Sequence, residues 1–368
     1  MLYKEYGKTG KMVSAIGCGG MRFNEEEYRS GDLSKCAEVV KAAYDAGINY
    51  FDTAPGYNHD KSEDIFGLAF QEMKGKPFYV STKCGLWTSK NGDEARRLLE
   101  KSLTRLGVPK INFYHLWCMK TMDDYRAFMR RGGIYEGIKK AQEEGLVEHI
   151  TFSTHMNSAD IRAVVETGLF EGVTLGYNAV NFAFRQGGMD AAYENGLGVV
   201  VMNPLGGGMI PGNPDYFSFL RQGEDSLTVS ALKFITSQPQ TTVALCGFTT
   251  VEQVAESVKA AENLYRVDEA FREELAKKLS SDLNTMCTTC GYCDECPAGV
   301  PIPKFMESYN YFILSGGKDK SVLDRLDAHW DLTNGQAASC VRCGKCESLC
   351  TQKLPIMERL AAIAAMKA

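Results

Sequence analysis

Eight short apolar runs, separated by amphipathic stretches, occupy residues 1–265: SAIGCGG, INYFDT, FYVSTK, INFYHLW, EHITFST, GVTLGYN, GVVVMNP and TTVALCG. They are continuous rather than alternating, the pattern of strands buried on both faces. Between them lie helix-like stretches such as CAEVVKAAYDAG, EARRLLEKSLTRLG and YEGIKKAQEEG, each ending in Gly, the residue that closes a helix in the left-handed conformation. Eight strand–helix units in roughly 250 residues fit a closed (β/α)8 TIM barrel. The competing doubly wound sheet asks for Gly-x-Gly-x-x-Gly after its first strand. GCGGMRF breaks that spacing, with Arg22 where the third Gly belongs, and no Walker-type phosphate loop is present. The stretch VDEAFREELAKKLSSD then reads as one more helix, leading out of the barrel. The expected fold class is α/β, with a barrel over residues 1–282 and a smaller domain over 283–368.

That smaller domain holds eight of the thirteen cysteines. Cys287, Cys290, Cys293 and Cys296 form Cys-x2-Cys-x2-Cys-x2-Cys before Pro297. Cys340, Cys343, Cys346 and Cys350 form Cys-x2-Cys-x2-Cys-x3-Cys. The runs resemble the ligand pattern of bacterial ferredoxins, in which closely spaced thiolates converge on the corners of one cluster. Two quartets supply ligands for two 4Fe–4S clusters. In two-cluster ferredoxins the fourth cysteine of each run serves the other cluster. That rule would group Cys287, Cys290, Cys293 and Cys350, and separately Cys340, Cys343, Cys346 and Cys296. Thr351 after Cys350 and the tighter first run depart from the pattern. The stretch between the runs, including FMESYNYFILSGG, reads as helical, as does the tail PIMERLAAIAAMKA from Pro355. An α-helical ferredoxin-like domain is the expectation. A zinc-binding interaction module is the alternative, although a zinc ribbon needs only two pairs of cysteines. Disulfides suit secreted chains, and the opening MLYKEYGKTG is polar.

The net charge of −5 gives no electrostatic case for nucleic-acid binding. No apolar run reaches the ~18 residues of a membrane span. A cytoplasmic protein with no nucleic-acid or membrane partner is expected, since oxygen-sensitive clusters suit a reducing compartment.

In a barrel of this kind, chemistry gathers at the C-terminal ends of the strands. Asp52 ends the second run, Tyr57 lies in the loop after it, and Lys83 ends the third. An ammonium beside a phenol lowers the phenol's pKa from ~10 toward neutrality, and a carboxylate would hold the lysine in place. The same three residues also describe a buried salt bridge beneath a loop, with Tyr57 as its anchor.

Residues 1–265 resemble the aldo-keto reductase family. The resemblance rests on FDTAPGY with SEDIFG, on STKCG, on STH at the end of the fifth run, on MNPLGGG and on GFTTVEQVAES. It implies a barrel that binds NADPH or NADH without a Rossmann domain and reduces carbonyls. Tyr57 would be the acid, Lys83 its tuning residue and Asp52 the support of Lys83. The whole chain is similar to a subgroup carrying a C-terminal ferredoxin-like domain. The family usually adds a histidine five residues after the opening of strand four, a position held here by Trp117. His115 lies two residues earlier on the same strand face, either reaching the site through the lumen or packing as a core histidine.

The resemblance also assigns the cofactor contacts. Ser153 would bind the nicotinamide carboxamide, and Met202 stands where relatives stack an aromatic ring on the nicotinamide. Gly206 and Gly207 would let the backbone approach the diphosphate. Gly247 and Thr249 lead into a helix whose N-terminus suits phosphate, with Gln253, Glu256 and Ser257 facing the adenosine. Relatives preferring NADP place cations here, and neither Gly247 nor Gln253 is one, which leaves the dinucleotide open.

Two functions are consistent with these residues. One is an NAD(P)H-dependent oxidoreductase of aldo-keto reductase type, interconverting a small carbonyl and its alcohol, fused to a 4Fe–4S electron-transfer domain. The other is a redox relay or sensor whose barrel is a scaffold. A hydride carries two electrons and each cluster moves one, so the clusters are either structural or sensory, or they exchange electrons with an external donor, acceptor or substrate.

Overall fold

The computed structural model describes residues 1–73, 75, 77–278, 285–287 and 291–367. The chain divides into two compact units, Met1–Pro204 with Leu220–Asp268, and Leu205–Phe219 with Glu269–Ala368.

The first unit is an eight-stranded parallel barrel. Its strands are β1 (Ile16–Gly19), β2 (Tyr50–Asp52), β3 (Tyr79–Gly85), β4 (Ile111–Met119), β5 (Val147–Thr154), β6 (Gly172–Gly176), β7 (Gly198–Met202) and β8 (Val243–Gly247). They pair in sequence order, and β8 closes onto β1 with Gly247 opposite Gly19. All eight coincide with the apolar runs. Helix Gly92–Leu106, between β3 and β4, buries one face, turning Ala95, Leu99 and Leu106 inward. Its N-cap Asn91 accepts from the Glu94 N–H, and Gly107 ends it at φ 65°.

The N-terminal end of the barrel is plugged. Strands Tyr3–Glu5 and Met12–Ser14 form an antiparallel hairpin, an element the sequence reading did not contain. It delivers Tyr6 into a buried cluster with Val13, Tyr50, Phe113, Val200 and Val243. Tyr6 fits because β6 and β7 begin with glycine. A Cβ on Gly172 or Gly198 would stand 2.3 or 2.2 Å from its ring or hydroxyl. The plug directs access to the opposite end, where the strand C-termini lie.

The second unit contains helices Glu269–Lys278, Ile302–Leu314, Asp319–Trp330, Lys345–Leu349 and Ile356–Ala365. No strand occurs among its described residues. Its core joins Phe305, Met306, Val322, Leu326, Leu360 and Ile363. Pro355 is the N-cap of the last helix rather than its first residue. Among the described residues no helix is long and apolar enough to cross a membrane.

Candidate active site

Asp52 ends β2 and Lys83 lies on β3, in register with His115 of β4. All three are buried. Lys83 Nζ donates to Asp52 Oδ1 at 2.5 Å and to the Thr53 carbonyl at 2.6 Å. Asp52 Oδ2 accepts from Ser81 Oγ at 2.7 Å. His115 Nε2 lies 3.6 Å from the same oxygen and has no hydrogen-bond partner, while Nδ1 meets Thr151 Oγ1 at 2.7 Å. Burial, aided by the Lys83 charge and opposed by Asp52, pushes the His115 pKa down to about 3, so the imidazole is neutral at pH 7. His115 thus meets Asp52 inside the lumen.

Tyr57, half-buried, completes the group. Lys83 Nζ stands 5.2 Å from its ring centroid. Burial first, then the Asp52 charge, pushes the phenol pKa up. This reverses the expected depression. Lys83 is spent on Asp52 and Thr53, so its ammonium is already paired and meets the ring rather than the hydroxyl. Burial also lowers the Lys83 pKa, against the opposing pull of Asp52.

The loop carrying Tyr57 is held in an unusual shape. Asn58, His59 and Asp60 follow one another at φ 51°, 53° and 67°, each costing on the order of 1–2 kcal/mol for a residue with a side chain. Contacts to all three side chains hold it. Asn58 Nδ2 donates to the Gly20 carbonyl at 2.7 Å. Arg105 grips both Asp60 oxygens at 2.6 Å. His59 Nε2 meets Arg29 Nη2 at 2.6 Å.

Strand β4 departs from regular pairing just above His115. Its register with β5 shifts between Leu116 and Met119, and Cys118 sits at φ 63°. The bulge aims Trp117 edge-on at Tyr57, with centroids 5.5 Å apart. Trp87 packs against Trp117 at 4.7 Å. It lies over Gly85, where a Cβ would come within 2.8 Å of the indole. The bulge also engages Ser153, whose Oγ accepts from the Cys118 N–H at 2.8 Å.

On the opposite side of the rim, Gly247 lies beneath Arg22. A Cβ there would stand 2.6 Å from Arg22 Cγ, so the glycine is required by the arginine stem. Thr249 Oγ1 donates to the Arg22 carbonyl at 2.8 Å, which ties the loops after β1 and β8 together. Arg22 thus brings a cation to this rim from the loop after β1, a place that positions 247 and 253 alone do not reveal. Gln253 Oε1 accepts from the Thr249 N–H, Glu256 Oε1 accepts from Ser226 Oγ, and Ser257 is buried. Met202 ends β7, in register with Gly176. Gly206 and Gly207, at φ 64° and 72°, belong to the second unit.

Ser81 and Thr151 were absent from the sequence reading. Ser81 was legible, being two residues before Lys83 and hence on the same strand face. Thr151 was not, because its place opposite His115 depends on strand register. The Thr53 contribution is a backbone carbonyl and left no signal. Cys84 points away from Lys83, toward Thr88.

In the second unit, Cys287, Cys293 and Cys350 line one cavity with Met306, Leu354 and Ile356. Cys290 lies outside the described residues. Cys287, Cys293, Cys346 and Cys350 are buried, Cys296 and Cys340 are half-buried, and Cys343 is exposed. Among the described residues no group of three or more His, Cys, Asp or Glu side chains is placed to hold a metal ion. Backbone donors reach cysteine sulfur in this unit, Arg342 N–H to Cys340 Sγ and Leu354 N–H to Cys350 Sγ, both at 3.4 Å.

Comparison with known proteins agrees with this geometry. The model of the aldo/keto reductase family matches residues 15–278, which end before Cys287. The NADH-specific methylglyoxal reductase of Escherichia coli is 25% identical over 322 residues, 74% of this chain and 98% of that protein. The D-threo-aldose 1-dehydrogenase of a Pseudomonas species is 26% identical over 230 residues, 55% of this chain and 69% of that protein. The holo form of an aldo-keto reductase from Bacillus halodurans superposes with a TM-score of 0.63 at 19% identity, covering 76% of this chain and 97% of that one. This last likeness shows the barrel fold. With a family match over most of its length and oxidoreductases among its relatives, the chain belongs to the aldo/keto reductase family and is an NAD(P)H-dependent oxidoreductase.

Proposed function

We propose that the barrel interconverts a small carbonyl compound and its alcohol, with Tyr57 as the proton donor and acceptor. The observation that carries this reading is the convergence of Asp52, Lys83 and Tyr57 at the C-terminal strand ends. A bound nicotinamide supplies or removes the hydride. The raised phenol pKa keeps the proton on Tyr57 until the substrate oxygen becomes alkoxide-like and more basic than the phenolate. Lys83, 5.2 Å from the ring centroid, then stabilises the phenolate. Asp52 holds Lys83, and Ser81 holds Asp52. His115 is a positioning residue: its neutral ring braces Asp52 without reaching the rim. Ser153, Met202, Gly206, Gly207, Gly247, Thr249, Gln253, Glu256 and Ser257 are proposed to bind the dinucleotide. Arg22 supplies the cation for the 2′-phosphate of NADPH, an anion that a guanidinium matches well.

We further propose that the second unit carries two 4Fe–4S clusters. Three features support it. Cys287, Cys293 and Cys350 share a cavity although Cys350 comes from the second run, the grouping that the crossed-ligand rule requires. N–H···S bonds of the kind that tune clusters reach Cys340 and Cys350. A buried arginine atom, Arg359 Nη1, lacks a hydrogen-bond partner among the described residues, as a residue facing an anionic group would. A cluster spreads its thiolates over its corners, farther apart than the ligands of one ion. Held by these cysteines, the clusters would supply one-electron transfer with an external donor or acceptor, in a reducing cytoplasm.

The test is anaerobic purification of the full chain, iron and sulfide counts, and titration with NADPH and NADH. About eight iron atoms per chain are expected. Stoichiometric zinc without iron would refute the cluster reading. Absence of binding of either dinucleotide would refute the reductase reading. The relay or sensor alternative draws on Trp117 at the usual histidine position, and it is supported if dinucleotide binds while no carbonyl panel is turned over.

A further inference from the structure

Arg359 is the most anomalous charged residue of the second unit. It is 6% exposed, and arginine is almost never buried so deeply without a partner. Its guanidinium lies 4.7 Å over the Tyr309 ring. That contact satisfies one face of the cation and none of its donors, and Nη1 has no hydrogen-bond partner among the described residues. The residue sits one turn into helix Ile356–Ala365, whose first residue, Ile356, lines the cavity of Cys287, Cys293 and Cys350. Burial lowers the Arg359 pKa, opposed in turn by Tyr309, Cys287 and Cys350, which puts both cysteines within electrostatic reach of it. The second run is surrounded differently. Its nearby cations, Arg342 and Lys345, are exposed, and Lys345 is paired with Glu295 at 3.1 Å. Water and salt screen such surface charges.

A buried cation without a counter-charge costs several kcal/mol, and its retention calls for an anion. Four thiolates around an iron–sulfur cluster leave a net negative charge, and each electron added makes it more negative. A fixed neighbouring cation therefore stabilises the reduced form more than the oxidised one, and net charge is one of the terms that set cluster potential. Resting on the cluster reading above, we propose that Arg359 is the counter-charge of the cluster ligated by Cys287, Cys293 and Cys350, giving it a higher reduction potential than its companion at the second run. The two clusters are then inequivalent, and an electron entering the unit resides on the first.

The experiment is an equilibrium redox titration of the full chain, prepared anaerobically, with dithionite as reductant and electron paramagnetic resonance as readout, after iron has been counted. The wild-type protein should show two one-electron steps at different potentials. Arg359→Met should lower the higher step by at least tenfold in the equilibrium constant for electron uptake, about 59 mV for a one-electron couple, and leave the other step in place. Arg359→Lys, which keeps the charge, should stay close to wild type. If Arg359→Met instead loses one cluster while Arg359→Lys retains both, the charge is again what the site needs. The proposal fails if Arg359→Met shifts neither step or both equally. It also fails if Arg359→Lys matches Arg359→Met in shift or in lost iron, since packing alone would explain that. A wild-type chain without iron overturns the cluster reading itself, a result distinct from all of these.

Discussion

Replacing Tyr57 by Phe removes one oxygen atom and, on the proposed chemistry, the only proton the substrate oxygen can receive. Turnover should fall on the order of 10²–10⁴-fold, with dinucleotide affinity within a few-fold of wild type, as fluorescence titration and steady-state kinetics would reveal. Full activity of that variant on an identified carbonyl would show the acid is misassigned. Lys83→Met should be worse in a second respect. It strands the buried Asp52 charge, at about 3–5 kcal/mol, so the urea midpoint should fall along with kcat. His115→Asn separates bracing from catalysis: a braced Asp52 predicts a modest kcat loss, and a loss as large as that of Tyr57→Phe would give His115 a direct part. Arg22→Ala should weaken NADPH binding while sparing NADH, measured by calorimetry on both. Equal loss for the two would remove Arg22 from dinucleotide discrimination.

At the scale of elements, two irregular stretches shape the site, and neither was legible in the sequence. The turn at Asn58–Asp60 is built from residues that tolerate left-handed backbone, but its three consecutive positive φ values depend on distant partners such as Arg105. Breaking that grip with Arg105→Leu should release the loop and lower kcat several-fold while leaving NADPH affinity unchanged. If kcat holds, the Tyr57 position does not depend on the clamp. The bulge at Cys118 is the second case. Counting along β4 puts Trp117 at the family's histidine position, yet only the shifted register with β5 shows that Trp117 meets Tyr57 edge-on and that Ser153 Oγ caps the bulge. By contrast, the eight strands were legible because their apolar runs are continuous and bounded by glycine. Asp52 and Lys83 were legible because they end two of those runs. The phenol pKa was not, since its direction depends on how completely Asp52 and Thr53 engage Lys83.

At the scale of the molecule, two buried histidines make stability sensitive to acid. Burial holds both His115 and His155 down to about 3 in the folded chain, against about 6.5 when unfolded. Between those values the unfolded chain binds more protons, so stability is full above pH 6.5 and is lost progressively as pH falls toward 3. Urea midpoints at pH 7.5 and pH 5 should differ in this direction, and by less in His115→Asn. Equal slopes in the two proteins would mean that His115 does not titrate between the states.

The second unit is assembled from two pieces of chain, Leu205–Phe219 and Glu269–Ala368, and Asn310 Nδ2 reaches back to Met209 Sδ at 3.9 Å. The earlier piece is a loop between β7 and helix Leu227–Thr236, so it leaves the ribosome long before the residues it packs with exist. At ~5–20 residues per second, it waits roughly ten seconds or more for the C-terminal helices. Gly206 and Gly207, proposed for the dinucleotide diphosphate, lie in this waiting piece. A nascent chain can thus close its strands early, yet it completes that part of the proposed cofactor site only with its last hundred residues. Premature termination after the barrel should yield a protein that resists protease across its strands and is cut between Leu205 and Phe219.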